Sequence, residues 1–88
     1  MFIFTETGDL VNLDRVYTII NEPDEGDEGY IVQAYCDGGD RVALTYCENV
    51  VEGETFITRL LSELRRYYPI LDVKDANCIE FRDRAKHD

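Results

Sequence analysis

The stretch Tyr30–Cys47, YIVQAYCDGGDRVALTYC, leaves this chain few options. Two runs rich in β-branched and aromatic residues flank Asp37-Gly38-Gly39, which is the pattern of a β-hairpin. Its register follows from the segregation of its faces. A two-residue turn at Gly38-Gly39 sets Tyr35 against Val42 and Gln33 against Leu44, so both faces mix polar and apolar groups. A three-residue loop closes Cys36 on Asp40 instead. Tyr30, Val32 and Ala34 then share a face with Val42, Leu44 and Tyr46, while Ile31, Gln33, Tyr35, Arg41, Ala43 and Thr45 share the other. A slip of one residue exchanges whole faces, so the three-residue loop is predicted, with Gly39 in the left-handed conformation.

After the hairpin, Asn49–Gly53 leads into a helix expected from about Glu54 to Tyr68. Phe56, Ile57, Leu60, Leu61, Leu64 and Tyr67/Tyr68 recur at three- and four-residue spacing and make one apolar stripe. Glu52 and Glu54 at its start and Arg65 and Arg66 at its end suit the helix dipole, and Pro69 stops it.

Before the hairpin, Phe2–Thr5 reads as a short strand and Glu6-Thr7-Gly8-Asp9 as a turn. Leu10–Leu13 returns, and Val16–Asn21 continues in strand-forming residues. One straight strand over Leu10–Asn21 would run about 40 Å at about 3.3 Å per residue, too long for a domain of this size. Asn12-Leu13-Asp14 is therefore the expected bend or bulge. Glu22–Gly29, EPDEGDEG, has one proline, two glycines and five acids without a base, which is loop composition. Toward the far end, Ile70–Lys74 and Cys78–Arg82 alternate around Asp75-Ala76-Asn77. Leu71, Val73, Ile79 and Phe81 are expected to point inward from a second small hairpin. A short helix opening at Asp75 is the competing reading. Asp83–Asp88 reads as a charged, frayed tail.

The opening, FIFTETGDLVNLDRVYTI, followed by an acidic loop, a glycine hairpin and an amphipathic helix, resembles small uncharacterised proteins of low-GC bacteria and their phages. Those open with a strand, a Gly-Asp/Glu-Leu turn and an Asn-Leu-Asp bend, as Gly8-Asp9-Leu10 and Asn12-Leu13-Asp14 do here. The resemblance covers roughly the first 65 residues. It implies a phage or mobile-element origin and transfers no site residue.

Composition bounds the function classes. The 88 residues suffice for one domain with a modest core, expected as an α+β domain over 1–82 with the tail at 83–88. The net charge of −10 is uneven. Residues 1–58 carry thirteen acids against Arg15 and Arg41, whereas residues 59–88 carry six acids against seven bases. So acidic a body is repelled by phosphates, so direct nucleic-acid binding is not expected. The start MFIFTETGDL has neither a basic n-region nor a long apolar run, and no secretory signal or membrane span is expected. Three cysteines, spaced eleven and thirty-one apart, do not form a disulfide framework. A reduced, cytoplasmic protein is expected.

Cys36, Cys47, Cys78 and His87 lack the paired spacing of a zinc site, and neither metal nor cofactor is expected. The single histidine sits in the tail, a poor place for a positioned base, so an enzyme is not expected. The acidic loop lacks the ligand spacing of an EF-hand. What does gather is charge. In an antiparallel meander, Glu22, Asp24, Glu25, Asp27 and Glu28 fall at the same end of the sheet as Glu48, Glu52 and Glu54. The bland account of that rim is solubility and helix capping.

One helix cannot cover both faces of a sheet. Tyr17 and Ile19 are expected on the uncovered face with Ile31 and Tyr35, unless the 70–82 segment covers it. The sequence thus predicts a four-stranded antiparallel meander with one helix on one face and a small C-terminal β element. It further suggests an acidic, non-enzymatic protein-binding module that uses the eight rim acids, Tyr17 and Tyr35. Its concrete form is a phage or mobile-element inhibitor that mimics nucleic acid and covers a basic nucleic-acid-binding surface of a host complex. The alternative is a small homo-oligomer, such as a homodimer, that pairs through Tyr17, Ile19, Ile31 and Tyr35.

Overall fold

A computed structural model describes residues 2–67, 71–75 and 77–81. Strands β1 (Phe2–Phe4) and β2 (Leu10–Asn12) form a hairpin of their own, and a 3-10 turn at Leu13–Arg15 leads to β3 (Val16–Pro23). Strands β4 (Tyr30–Cys36) and β5 (Arg41–Cys47) follow, then helix α1 (Val50–Leu64), then β6 (Leu71–Asp75) and β7 (Cys78–Phe81). Four antiparallel strands in the order β5-β4-β3-β7 carry α1 on one face, and β6 extends the β7 edge. The expected α+β architecture is therefore what folds, including the second hairpin near the C-terminus. The strand beside β3 is β7 rather than the first strand of the chain. β1 and β2 pack instead on the helix side, through Ile3, the buried Val11 and the buried Leu13 that follows them.

The local reasons are visible at each junction. Asn12 accepts from the Asp14 amide at 3.0 Å and so turns the chain where the sequence expects a bend. The main hairpin closes from the Cys36 amide to the Asp40 carbonyl at 2.8 Å, as the three-residue register requires. Both Gly38 (φ 82°) and Gly39 (φ 87°) take left-handed backbone there, where Gly39 alone was expected to.

Helix α1 begins four residues before the expected Glu54 and ends four before Tyr68. Asn49 accepts from the Glu52 amide at 3.0 Å, and Glu52 accepts from the Glu48 amide at 2.8 Å, which fixes the start. Gly53 reads as a helix leader in the sequence, yet it lies inside the first turns because the backbone passes directly over Asn21. A Cβ on Gly53 would overlap the Asn21 side-chain amide. Ile57 and Leu64 are fully buried, with Phe56, Leu60 and Leu61 half-buried beside them, while Tyr67 is exposed. Pro69, Tyr68 and the 83–88 tail lie outside the described residues, as do the side chains of Leu71 and Val73.

Two irregularities correct the expected faces. Opposite Val32 and Gln33, β5 carries an extra residue, so Val32 pairs with Thr45 and Ile31 with Tyr46. Leu44 and Thr45 are both buried as a result, and Tyr46, expected beside Val32 and Ala34, is 61 % exposed on the opposite face. A second shift between Val16 and Thr18 lets Val16 and Ile19 both enter the core, although three residues apart in an unbroken strand would face opposite ways. Ile19 is completely buried on the helix side, not on the uncovered face.

Candidate functional site

The acidic β3–β4 loop and the exit of β5 lie together at one end of the sheet, while two of the eight expected rim acids stand apart. The β3–β4 loop closes from the Asp24 amide to the Gly29 carbonyl at 3.0 Å. Asp24 accepts from the Gly26 amide at 3.1 Å and Asp27 from the Glu28 amide at 2.7 Å, so these two carboxylates shape the loop as well as charging it. At Gly29 (φ +134°) the loop passes the end of β5 so closely that a Cβ would sit 2.6 Å from the Cys47 carbonyl oxygen. That contact sets the end of the loop that carries Asp24, Glu25, Asp27 and Glu28 against the backbone of Cys47 and Glu48, and the Glu48 amide in turn donates to Glu52 in the first turn of α1. Glu54 does not join them. At about 100° per residue it stands roughly 200° around the helix from Glu52, on the other flank.

Glu22 is set apart as well. It lies within β3 on the face that α1 leaves uncovered, opposite Ile31 and diagonal to Gln33. One carboxylate oxygen, Oε1, accepts from Gln33 Nε2 at 2.6 Å and also from the Tyr35 hydroxyl. Burial, and then the Glu22 carboxylate beside it, hold the Tyr35 hydroxyl above its ordinary pKa, and the nearby Arg41 partly offsets this. The Tyr17 ring stands edge-on to the Tyr35 ring, with centroids 6.5 Å apart and planes at 63°. Tyr17 and Tyr35 thus share the uncovered face, and Ile31 joins them, but Ile19 does not.

Between this network and the acidic loop the surface is concave. The hollow has a volume of about 470 Å³ and is lined by Glu22 to Gly26 on one side and by Ile31, Gln33, Tyr35 and Arg41 on the other. Gln33 and Arg41 escaped the sequence reading. A signal for them existed, because Gln33 and Tyr35 are polar-tipped residues two apart on a strand that is otherwise apolar. A second, shallower groove of about 350 Å³ runs between β5 and α1, with Glu6, Cys47, Phe56 and Arg59 among its walls.

The three thiols are free. Burial pushes the Cys36 and Cys47 thiols above the ordinary thiol pKa, which disfavours the nucleophilic thiolate. Among the described residues no group of three His, Cys, Asp or Glu side chains is arranged to hold a metal ion, and no helix is long and apolar enough to cross a membrane. His87 lies outside the described residues. What the acidic end and the hollow can do chemically is accept hydrogen bonds and receive positive charge. Compared with models of protein families, with curated proteins and with solved structures, the chain matches none of them.

Proposed function

We propose that the protein is a non-enzymatic, acidic binding module that docks on a basic surface of another protein. In its concrete form it is an inhibitor that covers the nucleic-acid-binding surface of a host complex, in keeping with the phage or mobile-element character of its opening. The observation that supports this reading is the Gly29–Cys47 approach, which sets the acidic β3–β4 loop against the backbone at Glu48, whose amide donates to Glu52. From Glu22 to Gly29 and from Glu48 to Glu54 the sequence contains no base to neutralise the acids. Such a field speeds encounter with a positive partner and weakens with salt.

The test is a variant in which Asp24→Asn, Glu25→Gln, Asp27→Asn and Glu28→Gln are combined. Asparagine keeps the side-chain acceptors that shape the loop, so only charge changes. Proteins captured from a host lysate by the parent should be released by high salt, displaced by added DNA or RNA, and missed by the variant. Capture of the same proteins by the variant, unaffected by salt or nucleic acid, would overturn the reading.

Self-association is the second reading, and one observation favours it. Phe2, Phe4 and Leu10 stand 60 %, 78 % and 56 % exposed on the outer side of the β1–β2 hairpin. Phe4→Ser should then shift the sedimentation coefficient toward the monomer's.

A further inference from the structure

We infer that the hollow on the uncovered sheet face is a seat for one arginine side chain of the partner protein. The inference rests on the proposed docking to a basic surface and narrows it to a guanidinium at a defined place. The carboxylate of Glu22 is already oriented. Its Oε1 takes two donors from Gln33 and Tyr35, which fixes the plane of the group, while Oε2 has no hydrogen bond to any described residue. A carboxylate held in this way presents a free acceptor without having to be ordered on binding. Beside it the Tyr35 ring forms a wall, and a planar, weakly hydrated guanidinium lies against such a wall more readily than a compact ammonium does. Asp24 and Glu25 line the same hollow and add charge of the matching sign. Its volume of about 470 Å³ falls within the range of roughly 300–1,000 Å³ usual for sites that enclose small ligands.

Arg41 sharpens the inference, because it lines the hollow too and is exposed. It is a cation from this chain at the place assigned to a cation from another. In the free protein it offsets part of the field of Glu22, Asp24 and Glu25. An incoming guanidinium must displace it or share the carboxylates with it. Removal of Arg41 therefore strengthens binding, although loss of a pocket-lining residue ordinarily weakens it.

The experiment uses the full chain, labelled with ¹⁵N, and two probes, N-acetyl-arginine amide and N-acetyl-lysine amide. The arginine probe should shift the Gln33 side-chain amide and the backbone amides of residues 22–26 along saturating curves. The lysine probe should bind several-fold more weakly. Arg41→Gln should tighten the arginine probe by roughly threefold or more, and Glu22→Gln should weaken it by about tenfold. Because Glu22→Gln also disturbs the Tyr35 bond, the exposed Arg41 variant keeps the test valid if the other loosens the sheet. Shifts spread equally over Glu48 and Glu52, or an Arg41→Gln variant that binds no better, would overturn the arginine seat. If the probe fails in the hollow while the loop variant still loses its captured partner, the seat is wrong and the docking reading stands. If the loop variant keeps its partner while the probe binds as described, the docking reading falls alone.

Discussion

The two faces of the main sheet solve the same problem in opposite ways. On the helix side, Ile19, Val32, Ala34, Leu44 and Ile79 are almost completely removed from water and are covered by Ile57 and Leu64. The polar Asn21, buried among them, is held by its own bonds to the Val50 carbonyl at 3.1 Å and the Asn77 side chain at 2.8 Å. On the uncovered side, Tyr17, Gln33 and Tyr35 are only half-buried, and the contacts that organise them are the hydrogen bonds from Gln33 and Tyr35 to Glu22 and the edge-on contact of the Tyr17 and Tyr35 rings. Burial of apolar area supplies most of the stability of a domain this small, whereas a hydrogen bond exchanged with water supplies little. The helix side therefore holds the fold, and the other side is free to hold a site.

The largest effect expected is on the covered face. Ile57→Ala removes a fully buried side chain and should cost about 2–5 kcal/mol. Ile20→Ala, on the uncovered face and half-buried, should cost about 1 kcal/mol, mostly strand preference. Urea denaturation of the two variants compares the faces directly, and equal losses would abolish the distinction.

Next comes the place where the helix backbone meets β3. Gly53→Ala gains about 1 kcal/mol of helix preference. Against this stand overpacking of about 1–3 kcal/mol and the displaced Asn21 amide at about 1–3 kcal/mol, so a net loss of about 2 kcal/mol is expected. Asn21 Oδ1 is buried there without a hydrogen bond, pressed against the glycine. Asn21→Ser introduced together with Gly53→Ala should recover part of the loss, because residues in contact do not act additively. A stabilised Gly53→Ala variant would mean that the helix stands further from the sheet.

These positions also show what the sequence could reveal. The stripe Ile57, Leu60, Leu61 and Leu64 is local periodicity, and the Cys36–Asp40 closure is local turn chemistry, so both were legible. The inward placement of Ile19 and the outward placement of Tyr46 depend on strand irregularities that no local pattern marks. Gly53 read as part of the lead into the helix because its reason for being glycine lies on another element. The neighbour of β3 was hidden for the same cause, since Thr18 pairs with Glu80, some sixty residues away. At the candidate site, counting acids marked the β3–β4 loop, but it could not separate Glu22, a strand residue with two donors, from its neighbours in the loop.

A smaller effect belongs to the uncovered face. Tyr35→Phe keeps the ring and removes the hydroxyl that donates to Glu22, and should cost about 1 kcal/mol. The pH dependence has a definite sign. Tyr35 keeps its proton above the ordinary pKa of 10.0, and Cys36 and Cys47 keep theirs above 9.0. Each therefore contributes stability that is complete below its ordinary pKa and is lost as pH rises through the raised one. Melting temperature should fall on the alkaline side, beginning near the thiol value, and Tyr35→Phe should flatten the upper part of that fall. A decline unchanged by Tyr35→Phe would show that the Tyr35 hydroxyl is not held in solution by burial and the Glu22 contact together.

The smallest effect is expected on the outward side of α1, where nothing in the fold packs. Ser62 is exposed and donates back to the Thr58 carbonyl at 3.2 Å, a bond that competes with the helix rather than supporting it. Alanine has the higher helix preference, so Ser62→Ala should leave stability within about 0.5 kcal/mol of the parent or slightly raise it. Leu64→Ala, two residues on and facing the sheet, should instead cost about 2–5 kcal/mol. Thermal unfolding at two protein concentrations makes the comparison complete. If Ser62→Ala proved as damaging as Leu64→Ala, and the damage grew with concentration, the outer side of the helix would be buried against a second copy of the chain. The acidic end would then belong to a dimer surface, and the uncovered sheet face would no longer be the main one left for a partner.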